Sequence, residues 1–337
     1  IAADRPQVQL DEIKGRLDGR LVPLGEAEGI GIDVGVIAES KLRRSPCLVM
    51  WYDMRFGHKT ILGDASYVPA LRQFSLDRVP AWDVRNLLVN RGTLLVINAV
   101  MLERPELAEE ERRTVIKHGM KAVIGYGDAC LYGKGAYDWS YVEKRRRMRE
   151  RSDVPGTVRA LYDEAAAFRF EPAYDRYLAK DLVAWNRALL EALAPVHLDI
   201  ERHRLGDPSL TWESYAAAAF EHALTEGWTS PRALAKKGVA LFQTRTAPSA
   251  GSLLGSVGFR MSRARERLPI LFPAVAYEGM PASFSELAHD ALGAASTRLP
   301  NLRRAYLKAW GDHGDTNFHA VLRTLRIDLT QHRSEAR

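Results

Sequence analysis

The chain has 337 residues, of which 46% are hydrophobic and 27% charged. That composition excludes a disordered, collagen-like or disulfide-stapled chain and leaves enough polymer for two domains with cores of their own. Forty-eight Lys and Arg against 42 Asp and Glu give a net charge of +6, which suits phosphate-bearing ligands without requiring nucleic acid. Cys47 and Cys130 are the only cysteines. Two are too few for a disulfide framework or a cysteine zinc site, so a cytoplasmic location is expected, and any metal must sit on oxygen or histidine. No run reaches the roughly 18 apolar residues of a membrane helix; the best, Leu94 to Leu102, is interrupted by Asn98. The chain opens at Ile1 without Met or a signal pattern, so further residues upstream are expected.

In chain order, Leu10, Ile13, Leu17 and Leu21 recur at helical spacing and predict a helix up to Val22, broken by the glycines at 25–31. Ile30–Ile37 places β-branched residues at alternate positions around Asp33 and reads as a strand. Cys47–Tyr52 and, after a turn at Phe56-Gly57-His58, Lys59–Leu62 read as two more. Beyond Pro80 the periodicity becomes helical. Asp83 is placed to cap a helix through Ile97, a second runs from Ala108 to Cys130, and a third, very basic one covers Trp139–Arg151. Proline punctuates further helical stretches at 156–170, 177–194 and 211–225, the second closed by Pro195. Thr244–Gly258 reads as a loop, followed by amphipathic pieces near 284–296 and 301–325. The expected fold class is α+β: a small mixed-sheet domain at 1–80, a helical substrate-binding region at 81–152 and a mostly helical domain at 153–337.

A lone acid between aliphatics, Ile32-Asp33-Val34, is common on any strand, and is also the pattern of a carboxylate that binds a divalent metal from a sheet. The stretch Met50–Asp64, with its Tyr52-Asp53, the Gly57 turn and Ile61-Leu62-Gly63-Asp64, resembles a segment of bacterial proteins in the polymerase-β-like nucleotidyltransferase superfamily. Asn86–Arg91, Lys121–Asp128 and Tyr137–Tyr141 resemble its helical continuation, so the likeness covers residues 10–150. It implies an N-terminally cut nucleotidyltransferase-like domain that moves a nucleoside monophosphate from a nucleoside triphosphate to a small-molecule acceptor. In that superfamily three carboxylates hold two Mg²⁺ ions, which bind the entering and leaving oxygens. Asp33 would be the third acid, a metal ligand that helps to deprotonate the acceptor. The preceding Gly-Ser and Asp-x-Asp are absent: only Asp4, Asp11 and Asp18 stand between Ile1 and Ile30. They lie upstream of Ile1, or the protein is an inactive relative that binds or assembles.

The same likeness places Lys121 on the β/γ-phosphates, against the plainer reading of a solvated helix lysine. Asn86 and Asn90 share one helix face, with Arg91 beside them, and could contact a nucleotide or tie helices together. Tyr137 and Tyr141, also four apart, could stack on a base or pack in a core. Asp53 and Asp64 flank a turn, which short acids favour for local hydrogen bonds. The run Lys144–Arg151 is the sharpest charge feature. It wraps a helix rather than striping it and has no interleaved aromatics, so nucleic acid is not the expected partner and a solvated helix end is the plain reading. No zinc-type spacing occurs among the nine histidines, and the glycines at 125 and 127 make no dinucleotide fingerprint. Trp185, Trp212, Trp228 and Trp310 are expected to anchor helix packing.

Overall fold

A computed structural model describes residues 2–226, 235, 237–241, 250–314 and 317–329; Trp228 and the loop expected at 244–249 lie outside them. The chain divides into two units, Ile1–Pro80 and Ala81–Arg337.

The first unit is not a mixed sheet. Among the described residues its only strands are two dipeptides, β1 (Ala2–Ala3) and β2 (Ile37–Ala38), paired in parallel. The rest is helix and irregular chain: α1 (Gln7–Ala27), α2 (Glu39–Arg43), α3 (Val49–Gly57) and one 3₁₀ turn at Leu76–Arg78. The α+β expectation and the likeness to the polymerase-β-like superfamily are therefore both overturned, because among the described residues this two-residue pair is all that stands where a mixed sheet would carry metal-binding acids. The reasons are local. In the segment read as the Asp33 strand, Gly31 and Gly35 weaken any extended pairing, and residues 30–36 form neither helix nor strand. The apolar run at Cys47–Tyr52 is too short for alternation to separate strand from helix. It folds as α3, with Val49 and Tyr52 buried one turn apart and the Trp51 ring stacked on Phe74 at 5.8 Å. Ile61 and Leu62, read as a third strand, are 86% and 95% exposed in irregular chain.

The second unit is helical throughout its described residues, and the predicted helices from Pro80 onward appear close to where their periodicity puts them. They are α4 (Ala81–Met101), α5 (Glu109–Gly133), α6 (Tyr141–Glu150), α7 (Gly156–Phe170), α8 (Asp175–Leu178), α9 (Leu182–Leu205) and α10 (Trp212–His222). Then follow α11 (Leu253–Met261), α12 (Ala264–Ala276), α13 (Ala282–Leu292), α14 (Leu299–His313) and α15 (Phe318–Thr324). Three departures stand out: α9 runs through Pro195 instead of stopping there, Leu253–Gly258, expected as loop, opens α11, and α12 forms where no helix was expected.

Helix α5 is the axis of this unit, packed against α4, α7 and α9. From Gly119 to Leu131 it is buried except at Lys121, and Gly127 explains how α7 comes so close. A Cβ there would lie 2.0 Å from the Tyr162 ring, so only hydrogen fits. Trp185 covers Gly119 in the same way, and Trp310 packs on Tyr306 and Phe318. Charges buried between α4, α9 and the end of α10 are matched. Arg204 clasps Glu201 at 2.7 Å and Glu226 at 2.7 Å, while Arg85 reaches Glu226 at 3.3 Å. Beside them, buried Tyr277 joins Tyr126 Oη at 2.7 Å and His197 Nδ1 at 2.9 Å, and His118 Nδ1 lies 2.9 Å from Asn98 Oδ1.

Burial holds both His197 and His118 neutral, lowering each to about 4, against an ordinary value of about 6.5. Between those two pH values the unfolded chain binds protons that the folded rings refuse. Stability present above pH 6.5 is therefore lost as the pH falls toward 4. The thermal midpoint should drop steeply between pH 6.5 and 5 and much less in the variant carrying His118→Gln and His197→Gln; an identical slope in the variant would show that other groups cause it.

Candidate functional site

The residues singled out for phosphate contact fall on neighbouring helices of the second unit. Arg91 leaves α4 and lays its stem across Gly125 of α5, where a Cβ would meet Arg91 Cγ at 2.4 Å. Gly125 is one turn beyond Lys121, and Lys121 is one turn beyond Lys117, so α5 presents Lys117, Lys121 and the Arg91 stem along one stripe. Arg169, near the end of α7, stands over the Tyr141 ring at 4.2 Å. Lys121 feels all three of its basic neighbours. Partial burial, then Lys117, Arg91 and Arg169, lower its ammonium below the usual lysine range.

Among the described residues none of these four cations has a carboxylate partner, and that sets them apart from the run at 144–151. There every arginine is paired: Arg145 and Arg149 on Asp163, Arg146 on Glu143 and Glu150, Arg147 on Glu143 and Asp138, Arg151 on Asp153. The run is thus neutralised by its own surroundings. Its one lysine is drawn inward, with Lys144 Nζ 2.7 Å from Asp128 and Tyr162 Oη donating to the same carboxylate at 2.6 Å. All three side chains are buried.

Tyr137 and Tyr141 serve that buried lysine. Lys144 Nζ sits 4.8 Å from the Tyr137 ring centre and 4.1 Å from that of Tyr141, so the Tyr141 ring meets one cation from α6 and one from α7. Tyr137 is buried, Tyr141 only partly. Asn90, next to Arg91, is exposed and makes no side-chain hydrogen bond among the described residues. Asn86 accepts from Arg85 at 3.3 Å and so acts within α4. The structure thus gathers Arg91, Lys121 and Tyr141 and adds Lys117 and Arg169, which sequence reasoning missed. The Lys117-to-Lys121 spacing on one helix face was a usable signal; nothing in the sequence around Arg169 points to Tyr141.

Asp33 is exposed, in irregular chain of the first unit rather than on a strand, with Lys14 as an electrostatic neighbour. Among the described residues no group of three or more His, Cys, Asp or Glu is placed to hold a metal ion. Asp64 has the turn role expected of it, accepting from the Ser66 amide at 2.8 Å and hydroxyl at 2.7 Å. No helix among the described residues is long and apolar enough to cross a membrane.

No protein-family model, no curated protein and no solved structure matches the chain. The functional reading therefore rests on its own geometry.

Asp128 separates framework from site. Replacing it with Asn leaves the Lys144 charge buried without a counter-charge, which should lower the unfolding free energy by about 3–5 kcal/mol. Asp163→Asn, at the surface, should cost under about 1 kcal/mol. Urea denaturation of the two variants checks this, and equal losses would contradict it.

Proposed function

We propose that the helical unit binds the phosphates of a nucleoside triphosphate on Arg91, Lys117, Lys121 and Arg169, with Asn90 at the edge of the patch. The observation that carries this reading is four cations grouped around Lys121 with no carboxylate partner among the described residues, on a protein that pairs every arginine of the run 145–151. Like charges held together repel and lower one another's affinity for protons, and an anion spanning them relieves that cost. A triphosphate offers several charged oxygens to such a patch, and guanidinium groups bind phosphate in a fork.

Mg²⁺ would enter as the companion of the triphosphate, coordinated mainly by phosphate oxygens and water. Transfer of the nucleoside monophosphate to an acceptor was implied through the superfamily likeness, which the helical fold contradicts, so the reading here is nucleotide binding. A cytoplasmic setting suits both the ligand and the two buried cysteines, Cys47 and Cys130.

Calorimetric titration with ATP and with inorganic triphosphate tests the assignment. A charge-assisted contact is worth about 1.5–3 kcal/mol, so Lys121→Ala or Arg169→Ala should each weaken ATP at least about tenfold. Arg145→Ala, on the neutralised run, should change it less than about twofold. Absence of binding by the unaltered chain, or equal losses in all three variants, overturns the proposal.

A further inference from the structure

Away from the cation patch, the helical unit holds a cavity of about 610 Å³. Its wall is formed by Leu102 after α4, by Leu190, Ala194 and Leu198 on α9, by Trp212 at the start of α10 and by Met280 in the turn before α13. Both its size and its apolar lining are those of a small-molecule site.

The polar side chains on the lining narrow the class of ligand, because nearly all of them are engaged by the protein itself. Arg187 and Glu191 face each other at 3.9 Å on α9, and Glu103 is paired with Arg304. Arg303 donates to the Val275 and Ala276 carbonyls at 3.1 and 3.3 Å, and its positive charge answers Glu278 as well as Glu103. The buried Asn186 amide accepts from Asn98 Nδ2 at 3.2 Å and donates to the Leu95 carbonyl at 3.2 Å. The Tyr277 hydroxyl is held between Tyr126 Oη and His197 Nδ1. Among the described residues, neither sign of charge on the lining is left over for a ligand. An ion entering the cavity would give up hydration without gaining a counter-charge, a cost that an uncharged molecule avoids. Trp212 differs from the other polar residues: it is part-exposed, and its indole N–H donates no hydrogen bond among the described residues. An indole is a donor only, so it selects an acceptor.

We propose that this cavity binds an uncharged, largely apolar small molecule carrying a hydroxyl or carbonyl oxygen, its body against the α9 face and its oxygen accepting from the Trp212 N–H. Three naphthyl probes of similar size separate shape from charge: 2-(2-naphthyl)ethanol, 2-(2-naphthyl)ethylamine and 2-naphthylacetate. Ligand-detected NMR and calorimetry on the full chain should show saturable binding of the alcohol, at least about fivefold tighter than either ion. Trp212→Phe keeps an aromatic wall and removes the donor. It should weaken the alcohol about threefold or more, and the ammonium probe, which has no acceptor, less than about twofold. Ala194→Phe fills the cavity from α9 and should abolish binding of the alcohol; Val183→Trp, at an exposed position on the same lining, should weaken it if the first variant fails to fold. No saturable binding, tighter binding of either ion than of the alcohol, equal losses of alcohol and amine in Trp212→Phe, or binding that survives both cavity-filling variants overturns the assignment.

Discussion

The helical unit depends on how tightly its neighbours can approach α5. Along its middle that helix is covered except at Lys121: Trp185 lies over Gly119, Arg91 over Gly125 and Tyr162 over Gly127. At each of these positions a methyl group would collide with a side chain that has no easy retreat. The close approach brings Tyr162 of α7 and Lys144 of α6 onto Asp128, and a buried charge in that place is tolerable only because it is matched and hydrogen-bonded. The packing of α5 thereby fixes which helices surround the exposed Lys117 and Lys121.

Charge pairing then decides what that strip can do. Dense positive charge by itself indicates little, as the run 144–151 shows: its arginines are satisfied by acids on the same helix, on the loops before and after it and on α7. Repulsion that is not answered from within the protein is a different matter. Lys117, Lys121, Arg91 and Arg169 come from three helices, and their proximity costs stability unless water, salt or a ligand anion compensates. Such an arrangement resembles many functional sites, where local stability is given up for binding.

Helical periodicity made most of the second unit legible. The apolar stripe of α5 and the proline before α7 each mark a boundary that packing keeps, whereas Asp83, expected to cap α4, lies inside its first turn. Pro195 misleads because a proline can be carried inside a helix when the buried face beyond it, here Val196, His197 and Ile200, still has helices to pack against. The first unit was misread for a different reason. Short apolar runs broken by glycine satisfy a strand template and a helix template alike, and no long-range partner strand was available to choose between them. Asp33 inherited its role from that reading and lost its setting with it. For the candidate site, the lysine and the arginine could be found on their helices, but that no acid among the described residues pairs with them is a three-dimensional fact. It depends on Asp163, Asp138 and Asp128 having turned toward other partners.

The state of the Lys121 ammonium reports on the central claim most directly. With ε-carbon-labelled lysine, NMR titration of the unligated protein should place Lys121 below the other surface lysines, and saturating inorganic triphosphate should raise it by about one pH unit or more as the anion offsets Lys117, Arg91 and Arg169. An ordinary lysine titration that triphosphate leaves unmoved would contradict the account.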